Sequence, residues 1–227
     1  MNIATRIKNK LILLYRREIK RDAFLREVAR WFQDKGDETL RLDYPLTPDS
    51  VVFDLGGYQG DFAEAITRLY NCNVYIFEPV PEFYQHCVAR FKNNPKVTCL
   101  NYGLSSQDGW LHIGLAEDAT SFYAPSVAGD SIKVEVRSVV SDVKSLGVEK
   151  IDLMKINIEG GEFDVIPALI ESGLIHQVID LQVQFHHFVS DAVAKRNLIR
   201  EALKVTHEEK WNYQFVWESW HIKNHDD

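Results

Sequence analysis

VVFDLGGYQGDF, residues 51–62, is the stretch on which the reading of the fold turns. An apolar run, Val51 to Leu55, ends in an acid and a glycine-rich turn and then opens into helical spacing from Asp61 to Tyr70. That is a strand, a tight turn and a helix, one arm of a β-α-β unit. The pattern repeats outward. Asn73 to Phe77 reads as a strand, Glu82 to Lys92 as a helix and Val97 to Asn101 as a strand. Farther on, Ile151 to Ile158 is a strand, Glu162 to Ser172 a helix, Val178 to Phe185 a strand and Asp191 to Lys204 a helix. Such alternation predicts an α/β fold, a Rossmann-like, doubly wound and mostly parallel sheet with helices on both faces.

Two regions depart from the repeat. Trp110 to Leu115 and Ile132 to Val136 read as strands joined by a loop around Ala116 to Ser131, and Tyr213 to Ile222 as a closing aromatic strand region. Before the first strand, Ile7, Leu11, Leu14, Phe24, Val28 and Trp31 stand at helical spacing. This predicts an N-terminal helical extension, residues 1–45, leading through Gly36, Pro45 and Pro48 to a main domain, residues 46–227.

With 227 residues, 45% of them hydrophobic, the chain can bury a large core. Its net charge of −7 argues against a nucleic-acid partner, which requires a basic surface. The charge is uneven, since residues 1–30 hold nine basic side chains against Glu18, Asp22 and Glu27. A basic amphipathic segment of that kind is either a solvated face closing over a cleft or a surface for an anionic membrane or a lipid-linked glycan. Cys72, Cys87 and Cys99 form no CxxC motif, and no apolar run is long enough for a signal core or a membrane span, so the expected location is cytoplasmic.

In a parallel sheet the ligand lies beyond the carboxyl ends of the strands, where Asp54 to Gly60 fall. Gly56, Gly57 and Gly60 give G-G-x-x-G, not the G-x-G-x-x-G of a dinucleotide site, and no P-loop lysine follows. Asp54 just before the glycines repels phosphate and suits a cationic ligand. Glu78 at the tip of the next strand can accept both hydroxyls of a ribose. An amino group, a positive sulfur and a ribose without phosphates describe S-adenosylmethionine. The structural alternative is a plain β-α turn followed by a surface acid.

FDLGGYQGDFA resembles the first motif of the class I S-adenosylmethionine-dependent methyltransferases. IFEPVPEFY and LNYGLSSQDG resemble the FkbM group within them, and IDLMKINIEGGEFDVI, residues 151–166, is similar to that group's signature, usually K-I-D-x-E-G-x-E. One departure is Asn157, where the group usually has aspartate. The resemblance implies methyl transfer to oxygen, with a sugar hydroxyl of a glycan or glycan precursor as the leading acceptor and a secondary metabolite as the alternative. It implies that Asp54, Gly56, Gly57 and Gly60 line the methionine end of the cofactor, with Tyr58 beside them. Glu78 would face the ribose, and the segment from Asn101 through Gly103 to Leu104 would border the adenine.

The chemistry needs an oriented acceptor oxygen and a base for its proton. Period-two spacing puts Lys155, Asn157 and Glu159 on one side of their strand, and Gln182, Gln184 and His186 in a second polar line. His186 is the candidate base, with Glu159, Asn157 and Lys155 beside it as catalytic candidates. Glu159 or Glu162 is the expected partner of Lys155, unless a Lys and Glu network only ties down the strand end. A divalent metal on Asn157, Glu159 and His186 is conceivable but disfavoured without the aspartate, and no metal ligand is assigned. Trp211, Tyr213, Phe215 and Trp217 alternate as one buried strand face. A nicotinamide oxidoreductase and a non-catalytic cofactor-binding module are the competing readings. Oligomeric state stays open, with a homodimer among the options.

Overall fold

The structure, a computed structural model, describes residues 22–114 and 131–223. Helix α1, Ala23–Gln33, starts where the Asp22 carboxylate accepts from the Leu25 amide at 3.2 Å, an N-cap that satisfies one of the helix's free donors. A single turn, α2 (Gly36–Thr39), follows. The chain then runs extended to Ser50, burying Tyr44 and Leu46 as it goes. The helical periodicity read over residues 4–21 lies outside the described residues.

The main unit runs β1 (Val51–Leu55), α3 (Asp61–Tyr70), β2 (Asn73–Phe77), α4 (Pro81–Phe91), β3 (Val97–Leu100). There follow β4 (Gly103–Ser105), β5 (Gly109–Gly114), β6 (Ser131–Ser138), α5 (Val139–Leu146), β7 (Ile151–Ile156) and α6 (Glu162–Glu171). A 3-10 turn (Leu174–Gln177), β8 (Val178–Val183), α7 (Ala192–Thr206), β9 (His207–Tyr213) and β10 (Trp217–Ile222) complete it. Seven strands form one sheet in the order β3-β2-β1-β7-β8-β10-β9. All neighbours are parallel except β10, which is antiparallel to both β8 and β9. The order reverses between β1 and β7, and a crevice opens beyond strand tips at such a switch point.

Side-chain alternation sends each strand to two cores. Phe53, Leu55, Met154 and Ile156 face a cluster completed by Val139, Val143, Phe163, Ile166 and Ile199 from α5, α6 and α7. Val52 and Leu153 face the opposite cluster with Phe62, Ile66 and Cys87 of α3 and α4, and Tyr44 and Leu46 of the extended segment. Each fully buried side chain of this size contributes roughly 1.5–3 kcal/mol, so the central strand tips are firmly held. The doubly wound α/β expectation is met.

Several sequence-based boundaries are corrected. β7 stops at Ile156 and β8 at Val183, each two residues early, so the period-two lines end before Asn157, Glu159 and His186. The aromatic alternation is not one strand: Trp211 and Tyr213 lie on β9, Trp217 on β10, and Phe215 sits between them at φ +61° in the hairpin turn. Burial of these rings nonetheless holds, because Tyr213 and Trp217 close on Trp31 of α1. Helix α5, capped by the Ser138 hydroxyl on the Ser141 amide, and strand β4 were not anticipated. β4, β5 and β6 make a separate three-stranded sheet.

Candidate active site

The β1-α3 turn is compressed between protein elements. Gly56 has φ +81°, and a Cβ there would stand 2.0 Å from the Asn157 carbonyl oxygen. Gly57 faces Ile76 at 2.2 Å in the same sense, and Gly60, at φ +84°, faces Phe91 at 2.7 Å. The glycines therefore allow β2, β7 and α4 to converge on the turn. Tyr58 also adopts a left-handed backbone, φ +49°, and sets its ring against Phe83 at 4.5 Å.

Beneath the turn, Asp54, Lys155, Gln182 and Ser219 stand side by side on neighbouring strands β1, β7, β8 and β10. The Lys155 ammonium donates to Asp54 Oδ1 at 2.8 Å, to the Gly56 carbonyl at 2.8 Å and to the Leu55 carbonyl at 3.2 Å. Its partner is thus Asp54, not Glu159 or Glu162 as the sequence suggested, because the register sets Asp54 directly opposite. Burial pulls the Lys155 ammonium down from its ordinary range, and the Asp54 carboxylate opposes this. Asp54 Oδ2 is buried without a partner among the described residues.

Gln182 ties this row to the segment before β1. Its amide donates to Tyr44 Oη at 2.9 Å and to the Arg41 carbonyl at 3.0 Å, while its oxygen accepts from Arg41 Nε at 3.2 Å. Tyr44 Oη also meets Ser219 Oγ at 3.1 Å, and burial pushes its hydroxyl up to about 12.

Glu78 lies just past β2 and is 4% exposed. It accepts from the Tyr58 amide at 2.7 Å and the Val80 amide at 2.9 Å, and burial nevertheless pushes it up to about 7. A carboxylate has about four lone-pair sites, so two remain for hydroxyl donors. Asn101 donates from its side chain to the carbonyls of Glu78, at 3.0 Å, and Pro79, at 3.3 Å. Gly103 begins β4, where an added Cβ would meet Val136 at 3.3 Å. Asp54, the glycines, Tyr58, Glu78 and Asn101 therefore converge around one turn.

The second constellation lies past β7 and β8. Glu162, fully buried at the start of α6, accepts from the Gly160 amide at 2.8 Å and the His186 amide at 2.8 Å. His186 Nδ1 is 3.0 Å from the same carboxylate. With Glu162 as the acceptor, Nδ1 is the donor nitrogen of the ring and Nε2 is the nitrogen turned away from the clamp. Nε2 stands 3.8 Å from the exposed Glu159 carboxylate, whose backbone turns at φ +52°. Asn157 Oδ1 is buried without a partner among the described residues. Asn157, Glu159 and His186 are thus gathered at one strand edge, with Lys155 a layer below and bound to Asp54. Sequence reasoning missed Glu162 as the clamp on His186, which lies 24 residues away, and missed Arg41 and Tyr44 altogether. His187 points elsewhere, its ring 4.6 Å from Phe24 of α1, and burial lowers its proton affinity.

Among the described residues no group of three or more His, Cys, Asp or Glu side chains converges as a metal site, and no helix is long and apolar enough to cross a membrane.

A family model described as the methyltransferase FkbM domain matches residues 54–215, most of the chain. No curated protein matches in sequence. Among solved structures, a Staphylococcus aureus protein provisionally named a caffeoyl-CoA O-methyltransferase is 11% identical, with a TM-score of 0.52 over 95% of this chain and 99% of that one. A Clostridium thermocellum protein provisionally named an rRNA methylase is 10% identical, with a TM-score of 0.51 over 85% of this chain and 96% of that one. At such identities the likeness is one of fold.

Proposed function

Because the chain belongs to the FkbM methyltransferase family and is an S-adenosylmethionine-dependent methyltransferase, we propose that it methylates a sugar hydroxyl in a glycan or glycan precursor, with His186 as general base. S-adenosylmethionine supplies a methyl group on a positively charged sulfur, open to in-line attack by an oxygen. The residues at the β1-α3 turn fit that molecule, since Asp54 keeps an unpartnered buried oxygen for an amino group and Glu78 keeps two lone-pair sites for the ribose.

The observation that carries the oxygen chemistry is the Glu162 clamp on His186 Nδ1. It leaves Nε2 as a proton acceptor near the strand tips, where sugar hydroxyls, as poor acids, need a base. Asn157, whose Oδ1 has no partner among the described residues, accepts from a neighbouring hydroxyl of the sugar in this reading and so orients the one that reacts. Glu159 flanks Nε2 and stabilises the imidazolium once the proton arrives. An exposed aromatic ring, Phe188, stands 5.3 Å from the His186 ring and offers a flat apolar face of the kind that stacks on a sugar. The net charge of −7 favours such an acceptor over RNA. In this reading residues 1–45 are an extension to the methyltransferase domain, residues 46–227. Its basic stretch brings lipid-linked precursors to a cytoplasmic enzyme whose cysteines stay free.

The test is methyl transfer from labelled S-adenosylmethionine to a panel of sugar nucleotides, oligosaccharides, phenols and polyketides. Label in a sugar methyl ether is expected, with His186→Gln slowing turnover roughly 10²–10⁴-fold at unchanged S-adenosylhomocysteine affinity. Label confined to phenols or polyketides contradicts the sugar acceptor, and undiminished turnover in His186→Gln contradicts the base.

A further inference from the structure

The methionine end of the cofactor carries a carboxylate as well as an ammonium, and the acids Asp54 and Glu78 can answer only the ammonium and the ribose. A carboxylate needs donors, best a cation. Lys155 is not available, being buried with its three donors on Asp54, Leu55 and Gly56. Arg90, outside the turn, is engaged by the Gln59 carbonyl, Asp61 and Glu64.

Arg41 is different. Its guanidinium lies over the Trp217 ring at 4.2 Å and the Phe62 ring at 5.5 Å, and the Lys155 ammonium lies 5.9 Å from the centre of that same Phe62 ring. Phe62 is the second residue of α3, a ten-residue helix whose N-terminus has no side-chain cap. Free amides of that first turn and the Arg41 fork thus flank one ring beside the turn. Arg41 Nε is fixed by Gln182, and Nη1 by Asp37, a half-exposed carboxylate, at 3.0 Å. Nη2 remains. The buried Asp54 Oδ2, unpartnered one strand beyond Lys155, supplies the opposite pole for a zwitterion.

We propose that Arg41, upstream of the segment that defines the family, binds the methionine carboxylate of S-adenosylmethionine, with the α3 N-terminus as the second donor set. The proposal rests on the cofactor lying at the β1-α3 turn. It gives the extended segment before β1 a role in cofactor binding, because Gln182 holds both the backbone and the side chain of Arg41.

Calorimetry on the full chain tests it, with S-adenosylmethionine and its decarboxylated analogue as probes. Wild-type protein should prefer the intact cofactor by roughly 10–100-fold. Arg41→Gln should remove most of that preference by weakening the intact cofactor alone, and Arg41→Lys, which keeps the charge but not the fork, should fall between. Equal losses for both ligands in Arg41→Gln would overturn the proposal, as would an unchanged preference accompanied by a raised acceptor KM. A wild-type protein indifferent to the carboxylate would overturn it without any variant. Glu78→Ala separates the two levels: weakened binding of both ligands supports the site, and with it the proposal's premise. Unchanged binding of both would overturn site and proposal together.

Discussion

Removing the Lys155 ammonium should cost more stability than any single surface ion pair could, because its partner cannot reach water. Asp54 is fully buried and Lys155 is 3% exposed. In Lys155→Met the Asp54 carboxylate loses the donor on Oδ1 while Oδ2 already has none. A buried charge stripped of its partner costs about 3–5 kcal/mol. The Gly56 carbonyl also loses its 2.8 Å donor, about 1 kcal/mol more, whereas the Leu55 carbonyl retains the Asn157 amide at 3.1 Å. The sum, about 4–6 kcal/mol, lowers the thermal midpoint of a domain of this size by roughly 8–24 °C. Urea unfolding followed by tryptophan fluorescence measures the same loss. Asp54→Leu combined with Lys155→Met replaces the pair by apolar groups and should regain most of the stability, since a well-packed apolar substitute is often neutral. It should not regain cofactor binding. A midpoint within about 2 °C of wild type for Lys155→Met, or losses that simply add in the double variant, would refute the reasoning.

Other outcomes follow from the same geometry. Gly56→Ala should fail to fold or lose at least about 3 kcal/mol, because φ is +81° and the new Cβ would meet the Asn157 oxygen at 2.0 Å. Gly147→Ala, at φ +66° with open space around it, should cost only about 1 kcal/mol in the same melt. Glu78 is raised to about 7 by burial, so folding holds its proton where the unfolded chain, near 4.5, has released it. Its contribution is fully present below pH 4.5 and is lost as pH rises through about 7, roughly 2–4 kcal/mol in all. Glu78→Gln should flatten that part of the stability profile, and wild-type S-adenosylhomocysteine affinity should rise across the same window as the carboxylate forms. Glu162→Gln removes the charge behind His186 Nδ1 and turns one accepting oxygen into a donor facing an N–H, and should cut turnover about 10²–10³-fold in single-turnover kinetics, with cofactor affinity unchanged.

Much of this was legible in the sequence where local physics decides. β1 and β2 end where apolar runs meet Gly56 and Glu78, α3 runs between Gly60 and Asn71, and the spacing of Asp54 and Glu78 follows from successive strands. Errors arose where pattern outran backbone. Glu159 and Phe215 both take left-handed φ values in residue types that give no warning, so alternation seemed to continue through turns that had already ended the strands. Long-range pairing was hidden as well. Nothing local sets Glu162 against His186 or Arg41 against Gln182, 141 residues apart, and only strand register reveals Asp54 as the partner of Lys155. An acid three residues after Glu159, at the mouth of a helix, was the one available hint of the clamp.

The most direct measurement is a crystal structure of the full chain with S-adenosylhomocysteine. Both ribose hydroxyls should lie about 3 Å from the Glu78 carboxylate, with the amino acid end over the β1-α3 turn between Asp54 and Arg41. A nucleoside bound elsewhere, with Glu78 still held only by the Tyr58 and Val80 amides, would contradict the account.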